Sequence, residues 1–229
     1  MTEIGFLLYP RLTQLDLTGP YEVLARLSDA RVHLIAKEAG PVMSDQGLAI
    51  VPTCTFGDCP ALDVLCVPGG PGQIAVMDDA DTMEFVRRQG EQVQWVTSVC
   101  TGSLILAGAG LLQGYRAACH WLSRDQLADL GAIPVAERIV VDRNRVTGGG
   151  VTAGIDFALL LASILRGENE ARRIQLYLEY DPAPPFAGGT PERSDPETVA
   201  ALRAKAAPML AARKEATLRA QARLLREKP

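Results

Sequence analysis

The chain has 229 residues, of which 48% are hydrophobic and 22% are charged. This balance excludes an intrinsically disordered chain, and the length allows one large α/β domain with a well-buried core. The apolar run at residues 4–9 is too short for a signal peptide or a membrane span, and Glu3 stands where a signal peptide has a basic flank. We therefore expect a cytoplasmic protein with no membrane partner.

The net charge of −4 is unevenly distributed along the chain. Residues 191–229 hold nine Lys and Arg against five Asp and Glu, a net charge of +4 that leaves −8 for residues 1–190. An acidic body argues against nucleic acid as the main partner. We expect the basic, Ala-rich tail to form a helix that lies on an acidic surface of the body or on a second subunit.

Short apolar runs alternate with helical patterns along the chain. The sequence predicts strands at residues 4–9, 31–36, 62–67, 95–99, 117–119, 138–142 and 145–147. It predicts helices at residues 20–27, 80–89, 102–111, 124–130, 153–166 and 168–180. This alternation is typical of βαβ units, so we expect an α/β fold with a mostly parallel central sheet and helices on both faces.

A stretch rich in Pro and Gly at residues 181–191 separates this pattern from the tail. We predict a single α/β domain at residues 1–190 and a C-terminal helical extension at residues 191–229. The helix of the extension is expected to run from about residue 196 to about residue 226.

Cys100 stands at the joint between a predicted buried strand and a predicted helix, and Thr101, Gly102 and Ser103 follow it. Such a turn places a side chain above the carboxyl edge of the sheet, where open α/β sheets bind ligands. The helix N-terminus favours the thiolate, so we expect the pKa of Cys100 to fall from about 8.5 toward about 4–7. The alternative is a buried cysteine that packs as a small hydrophobic residue. We predict that Cys100 is a nucleophile.

The other cysteines do not form a CxxC pair, and the two histidines of the chain lie far apart in sequence. His120 is adjacent to Cys119, but neighbouring side chains rarely bind one ion together. We therefore expect free thiols and no metal site. The cysteines apart from Cys100 are Cys54, Cys59, Cys66 and Cys119.

Two other loops follow predicted strands. In one, the N–H groups of Gly69 and Gly70 could form an oxyanion hole with that of Thr101, although a structural turn would use the same residues. In the other, Asp16 lies between leucines, so its pKa should be raised and it could transfer protons near neutral pH. The alternative for Asp16 is a helix N-cap, which Thr18 could serve equally well.

Two further segments have a structural interpretation. The glycine-rich residues 147–154 lead into a helix but lack the lysine of a P-loop, so we expect them to allow close packing against the helix that follows Cys100. His120 and Trp121 follow a predicted strand, and we favour a core role for them over a catalytic one.

The chain resembles the ThiJ/PfpI superfamily over about residues 1–180. The resemblance is carried by Val-Cys-Thr-Gly-Ser at 99–103, by residues 109–117 with His-Trp at 120–121, by Asp-Leu-x-Gly-Pro at 16–20, by Pro-Gly-Gly at 68–70 and by Thr-Gly-Gly-Gly at 147–150. It implies a flavodoxin-like sandwich, a homodimer, and no metal or organic cofactor. Within the superfamily, the combination of Asp16, Cys100 and Thr101 is similar to that of the isocyanide-hydrating members.

Four departures separate the chain from other branches of this superfamily. Protease-like members carry histidine where this chain has Thr101, and redox-sensing members carry glutamate where it has Asp16. Glutamine amidotransferases need a late histidine, but none follows His120. The related transcription regulators add a double helix-turn-helix domain, for which the 39 residues after Thr190 are too few.

The resemblance implies an enzyme, a hydro-lyase that adds water to an isocyanide. Cys100 would add to the isocyanide carbon while Asp16 protonates it, and the resulting thioimidate would be hydrolysed to an N-substituted formamide. Thr101 would position water or substrate through its hydroxyl, and the Thr101 and Gly70 amides would stabilise negative charge. A redox-responsive stress or chaperone protein and a small-molecule sensor are the alternatives, since both also use an exposed cysteine of low pKa.

Overall fold

The computed structural model of the protein describes residues 1–226. Its strands are β1 (Thr2–Leu7), β2 (Ala30–Ala36), β3 (Val42–Met43), β4 (Ala49–Ile50), β5 (Cys54–Thr55), β6 (Val64–Val67), β7 (Trp95–Val99), β8 (Arg116–Ala117), β9 (Ile133–Pro134), β10 (Ile139–Asp142) and β11 (Arg145–Gly148). Its α-helices are α1 (Gln14–Leu24), α2 (Gln73–Asp78), α3 (Ala80–Gln92), α4 (Gly102–Gly108), α5 (Ala153–Arg166), α6 (Glu168–Tyr177) and α7 (Pro196–Arg226). Short 3₁₀ helices span Arg124–Leu130 and Pro191–Arg193.

A seven-stranded sheet in the order β10-β11-β7-β6-β1-β2-β5 forms the centre of the molecule. All neighbours in it are parallel except β10 and β11, which form an antiparallel hairpin. Helices α1, α5 and α6 pack together as one group, and α2, α3, α4 and α7 pack together as another, so the sheet is covered on both faces. This is the expected flavodoxin-like α/β sandwich. Its largest fully buried side chains include those of Phe6, Phe157, Ile4, Leu65 and Leu104.

Several predicted elements match the structure closely. Strand β7, helix α5 and helix α7 have the predicted bounds, and β2, β6, β10 and β11 differ by one or two residues. Strand β1 begins two residues earlier than predicted, α4 ends three residues earlier and α6 ends at Tyr177. The predicted helix at residues 124–130 is a 3₁₀ helix, and the predicted strand at 117–119 is reduced to β8. The short elements β3, β4, β5, β9 and α2 were not predicted.

The predicted start of the first helix was wrong. Helix α1 begins at Gln14 rather than at Pro20, and Pro20 lies inside it. Proline lacks the N–H that would donate to the carbonyl of Asp16, and its ring crowds that carbonyl, yet helix α1 continues through Pro20 to Leu24. Asp16 therefore belongs to the first turn of a helix, where the unpaired N–H groups favour a negative charge.

Helix α7 lies on the body of the same subunit, where it contacts α2, α4 and the 3₁₀ helix at Arg124–Leu130. Arg219 and Arg223 pair with Asp78, and Lys214 pairs with Asp129. Of the two surfaces that we considered for the basic tail, the acidic surface of its own body is confirmed. Among residues 1–226, no helix is long and apolar enough to cross a membrane.

Gly102 fixes the distance between helix α4 and strand β6, which generates a test of the fold. A Cβ atom at residue 102 would lie 2.0 Å from the carbonyl oxygen of Val67. We expect Gly102→Ala to lower the free energy of unfolding by about 1–3 kcal/mol or more, because backbone would have to shift. Gly150→Ala is the matched control, since a Cβ there has no neighbour within 4 Å. Equal unfolding midpoints in urea for the two variants would contradict this account.

Candidate active site

Cys100 occupies a strained turn between β7 and α4. Its backbone has a φ of 57°, in the left-handed region that costs a non-glycine residue about 1–3 kcal/mol. The amide of Cys100 donates a 3.0 Å hydrogen bond to the carbonyl of Gly148, at the end of the neighbouring strand β11. The side chain is 5% exposed. The predicted strand-to-helix joint is therefore confirmed, and its strain is held in place by the sheet.

Asp16 is the buried acid of this site. It is 1% exposed, and its Oδ2 accepts a 2.9 Å hydrogen bond from the amide of Gly69. Its Oδ1 has no hydrogen-bond partner among the described residues. Burial raises the pKa of Asp16 to about 7, although the Gly69 amide and the Cys100 thiol favour the ionised form. The sequence-based prediction of a raised pKa thus agrees with the structure, and Oδ1 is the carboxyl oxygen that has no partner.

The predicted low pKa of Cys100 was wrong. Burial raises the pKa of this thiol well above its ordinary value, and the charges of Asp16 and Cys119 raise it further. The amide of Thr101 favours the thiolate, but this does not reverse the direction. A helix N-terminus contributes about 0.3–1 kcal/mol, less than one pKa unit, whereas full burial can shift a pKa by about 3–5 units. The proximity of Asp16 and Cys100 agrees with the expectation that the pair shares a proton.

Thr101 and Gly70 are hydrogen-bonded to each other. The amide of Gly70 donates to Thr101 Oγ1 at 2.9 Å, and this hydroxyl donates to the carbonyl of Gly70 at 3.3 Å. Since the amide of Gly69 donates to Asp16, both glycine amides that we expected in an oxyanion hole already have partners inside the site. The Thr101 amide, which acts on the Cys100 sulfur, is the remaining candidate donor of that set.

The absence of a side chain at Gly69 lets the loop that contains it lie close to Thr101 and Asp16. A Cβ atom at this residue would lie 2.5 Å from the Thr101 nitrogen and 2.8 Å from Asp16 Oδ2. Any side chain here would therefore separate the acid from the turn that carries Cys100.

Tyr9 was not identified from the sequence. It follows β1 at the same edge of the sheet, is 3% exposed, and its hydroxyl donates a 2.8 Å hydrogen bond to the carbonyl of Pro68. Burial raises the pKa of Tyr9 well above its usual value, and the charge of Asp16 adds to this effect. Tyr9 therefore anchors the loop that contains Gly69 and Gly70, which we call the glycine loop. The place of Tyr9 at the end of the apolar run at residues 4–9 was the signal that could have identified it.

A hydrogen-bond network that includes three hydroxyl groups supports the Cys100 turn. Ser98 Oγ and Ser103 Oγ lie 2.8 Å apart, and Ser103 Oγ donates to the carbonyl of Ala118 at 2.6 Å. The amide of Ala118 donates to Thr147 Oγ1 at 2.8 Å. This network fixes the segment that leads to His120, whose pKa is lowered by burial and by the charge of Arg213.

Gly154, the last glycine of the glycine-rich segment and part of the first turn of α5, packs against α1 and not, as expected, against the helix that follows Cys100. A Cβ atom at Gly154 would lie 3.0 Å from Pro20 Cδ, and one at Gly19 would lie 3.2 Å from Ile155 Cγ1. Gly154 and Gly19 therefore allow α5 to pack closely against α1, the helix that carries Asp16. Within residues 1–226, no group of three His, Cys, Asp or Glu side chains is placed to hold a metal ion.

The buried acid should make stability depend on pH. The pKa of Asp16 is about 7 in the folded protein and 3.8 for an ordinary aspartate. Below pH 4 the side chain is protonated in both the folded and the unfolded state. Between pH 4 and 7 it ionises more readily in the unfolded state, so the wild-type protein loses stability as the pH rises. We expect Asp16→Asn to gain up to about 4 kcal/mol of unfolding free energy relative to wild type between pH 4 and 8. Urea unfolding at both pH values measures this. The exposed Asp181→Asn is the control, and a parallel gain there would disprove the assignment.

The Thr101 hydroxyl should matter through its bond to the Gly70 amide. Thr101→Val keeps the shape but leaves this buried N–H without an acceptor, so we expect a loss of about 1–3 kcal/mol of unfolding free energy. Thr101→Ser retains the hydroxyl and should lose less. If valine and serine variants unfold at the same denaturant concentration, the hydroxyl does not hold the glycine loop.

Comparison with known proteins places the chain in a family. The DJ-1/PfpI family matches residues 2–164. Isonitrile hydratase of Pseudomonas putida is 56% identical over 97% of both chains. The crystal structure of a ThiJ/PfpI family protein from Pseudomonas syringae has a TM-score of 0.92 and 45% identity, covering 94% of this chain and 90% of that one. A DJ-1 superfamily protein from Salmonella typhimurium has a TM-score of 0.70 and 25% identity, covering 80% of this chain and all of the other. The chain belongs to the DJ-1/PfpI family.

Proposed function

We propose that this protein is an isocyanide hydratase, a hydro-lyase that converts an isocyanide and water into an N-substituted formamide. The similarity to the Pseudomonas putida enzyme extends over nearly the whole of both chains and supports this substrate class. The observation that carries the proposal is the pairing of a buried acid with a thiol. Asp16 has a pKa of about 7 and interacts with Cys100, and both side chains are buried.

In the first step, Cys100 and Asp16 both act on the isocyanide carbon. The isocyanide carbon carries a lone pair, so it must gain a sulfur and a hydrogen to become a thioimidate. Asp16 and Cys100 together hold the proton that this requires, whichever of the two carries it at rest. The Cys100 sulfur forms the C–S bond while Asp16 delivers the proton to the same carbon. Asp16 is then ionised, and no proton has been exchanged with solvent.

The second step uses the carboxylate as a base. Asp16 takes a proton from a water molecule while the oxygen adds to the thioimidate carbon, and this proton passes to the nitrogen. The tetrahedral intermediate collapses when its hydroxyl loses a proton to Asp16 and the C–S bond breaks. The products are a formamide and the original acid–thiol pair, so water has been added to the isocyanide without any other reactant.

The surrounding residues hold these two groups in position. Gly69 fixes one oxygen of Asp16 and leaves the other unpaired. Thr101 holds the glycine loop through its hydroxyl, and its amide stabilises negative charge on sulfur. We assign Cys100 as nucleophile, Asp16 as acid and base, and Thr101, Gly69 and Gly70 as the residues that position them.

The geometry favours this function over a redox sensor. Redox-sensing cysteines are accessible and have a low pKa, because the thiolate reacts with the oxidant. Cys100 is 5% exposed and its pKa is raised. A small-molecule sensor would use the same residues without turnover, and only an activity measurement separates it from the enzyme. The homodimer and the cytoplasmic location that we expect stay predictions.

The proposal predicts two losses of activity. We expect Cys100→Ala to reduce isocyanide hydration to background, because the covalent intermediate cannot form. Asp16→Asn should reduce the rate by about 10²–10⁴, toward the upper end because both steps need the acid. Hydration of a simple aliphatic isocyanide is followed by its infrared band.

Two partly buried cysteines, Cys54 and Cys59, provide matched controls. Cys54→Ser and Cys59→Ser should keep wild-type turnover. A Cys100→Ala protein that is folded and still active would remove the nucleophile from the scheme. A wild-type protein that turns over none of several isocyanides would leave the sensor as the better interpretation.

A further inference from the structure

Helix α7 contributes a buried arginine to the neighbourhood of the site. Arg213 is 3% exposed, although the other basic residues of α7 that pair with the body lie at the surface. Its Nε donates to Gln73 Oε1 at 2.8 Å, and its Nη1 donates to Ser123 Oγ at 2.7 Å. Its Nη2 lies 3.7 Å from the sulfur of Met209. None of these partners is a carboxylate.

The two close partners of Arg213 belong to the two loops beside Cys100. Gln73 begins helix α2, directly after the loop that contains Gly69 and Gly70. Ser123 closes the turn after His120, because its amide donates to the His120 carbonyl at 2.8 Å. One side chain from the extension therefore connects the loop that holds Asp16 to the loop that lies behind Cys100.

The positive charge of Arg213 is not neutralised by an acid in direct contact. Burial of a cation without a counter-ion is unfavourable. Burial lowers the pKa of Arg213, whereas Cys119, Cys100 and Tyr9, when ionised, would favour its charged form. The other charged or titratable groups that act on this region are Asp16, Asp45, His120 and Arg124. Arg213 therefore favours negative charge at Cys100, one member of the acid–thiol pair.

We propose that Arg213 is a positioning residue of the active site, which fixes the two loops beside Cys100 and stabilises the single negative charge of the Asp16–Cys100 pair. Its effect on turnover rests on the proposed function, whereas its effect on the thiol does not. The match to the DJ-1/PfpI family ends at residue 164, so this residue lies outside the matched part of the chain. The extension thus completes the site instead of only covering the body.

The charge and the bridging role can be separated by two substitutions in the full-length protein. Arg213→Gln removes the charge, and Arg213→Lys keeps the charge but cannot bridge both partners as a guanidinium does. Arg219→Gln on the same helix is the control, because it removes an exposed pair with Asp78. The readouts are the pH profile of Cys100 alkylation by iodoacetamide, kcat and KM for an aliphatic isocyanide, and thermal unfolding.

We expect Arg213→Gln to move the alkylation midpoint upward by about half a pH unit or more, less than the effect of a direct ion pair. Its kcat should fall about tenfold to a hundredfold, with a smaller change in KM, since both loops lose their connection. Arg213→Lys should keep the midpoint and lose part of kcat. Arg219→Gln should leave all three readouts near wild type.

A role limited to packing of α7 would lower the unfolding temperature and leave the alkylation midpoint unchanged, and that result would overturn the proposal. If Arg213→Gln does not fold, a shifted midpoint in Arg213→Lys would overturn it equally. A wild-type protein without hydration activity, but with the predicted shift in alkylation, would reject the hydratase while supporting the role of Arg213.

Discussion

The structure depends on one electrostatic constraint, the burial of a carboxyl group and a thiol in contact with each other. Two negative charges cannot exist together at this depth, so Asp16 and Cys100 retain a proton near neutral pH. The Gly69 amide, the Thr101 amide and the cation of Arg213 are the groups that make one negative charge tolerable. The site is therefore built to hold a proton next to a thiol, and not to expose a thiolate.

The parallel sheet brings these groups together because its neighbouring strands end at the same edge. Asp16 follows β1, Gly69 follows β6, Cys100 follows β7 and Gly148 ends β11, and these four strands are adjacent in the sheet. The groups can come this close only because Gly69 and Gly102 lack a Cβ atom where backbone atoms of the next element lie. Topology thus determines which residues meet, and the glycines determine how near they come.

The sequence predicted the parts of this arrangement that depend on local patterns. Apolar runs identified β7 and the turn at Cys100, and the glycines marked the neighbouring loop. The pKa direction predicted for Cys100 was wrong, because a helix dipole can be inferred from a sequence whereas complete burial of α4 depends on packing. The predicted start of α1 was too late because proline favours the first helical position, whereas Pro20 lies inside α1. The roles of the Gly69 and Gly70 amides depend on which side chains reach them, so only the structure could assign their partners.

The burial of Arg213 could not be predicted from the sequence of the tail. In α7 the buried positions are Arg213, Ala216, Thr217 and Ala220, the spacing of one helix face. The last three have small side chains, so they allow the helix to approach the body closely. The guanidinium of Arg213, on the same helix face, is therefore buried. The overall positive charge of the tail suggested surface attraction, and its exposed pairs with Asp78 agree with that. The buried arginine has a different role, since a buried cation is tolerated only where a negative charge lies near it. The acid–thiol pair supplies that charge, so the extension and the site stabilise each other.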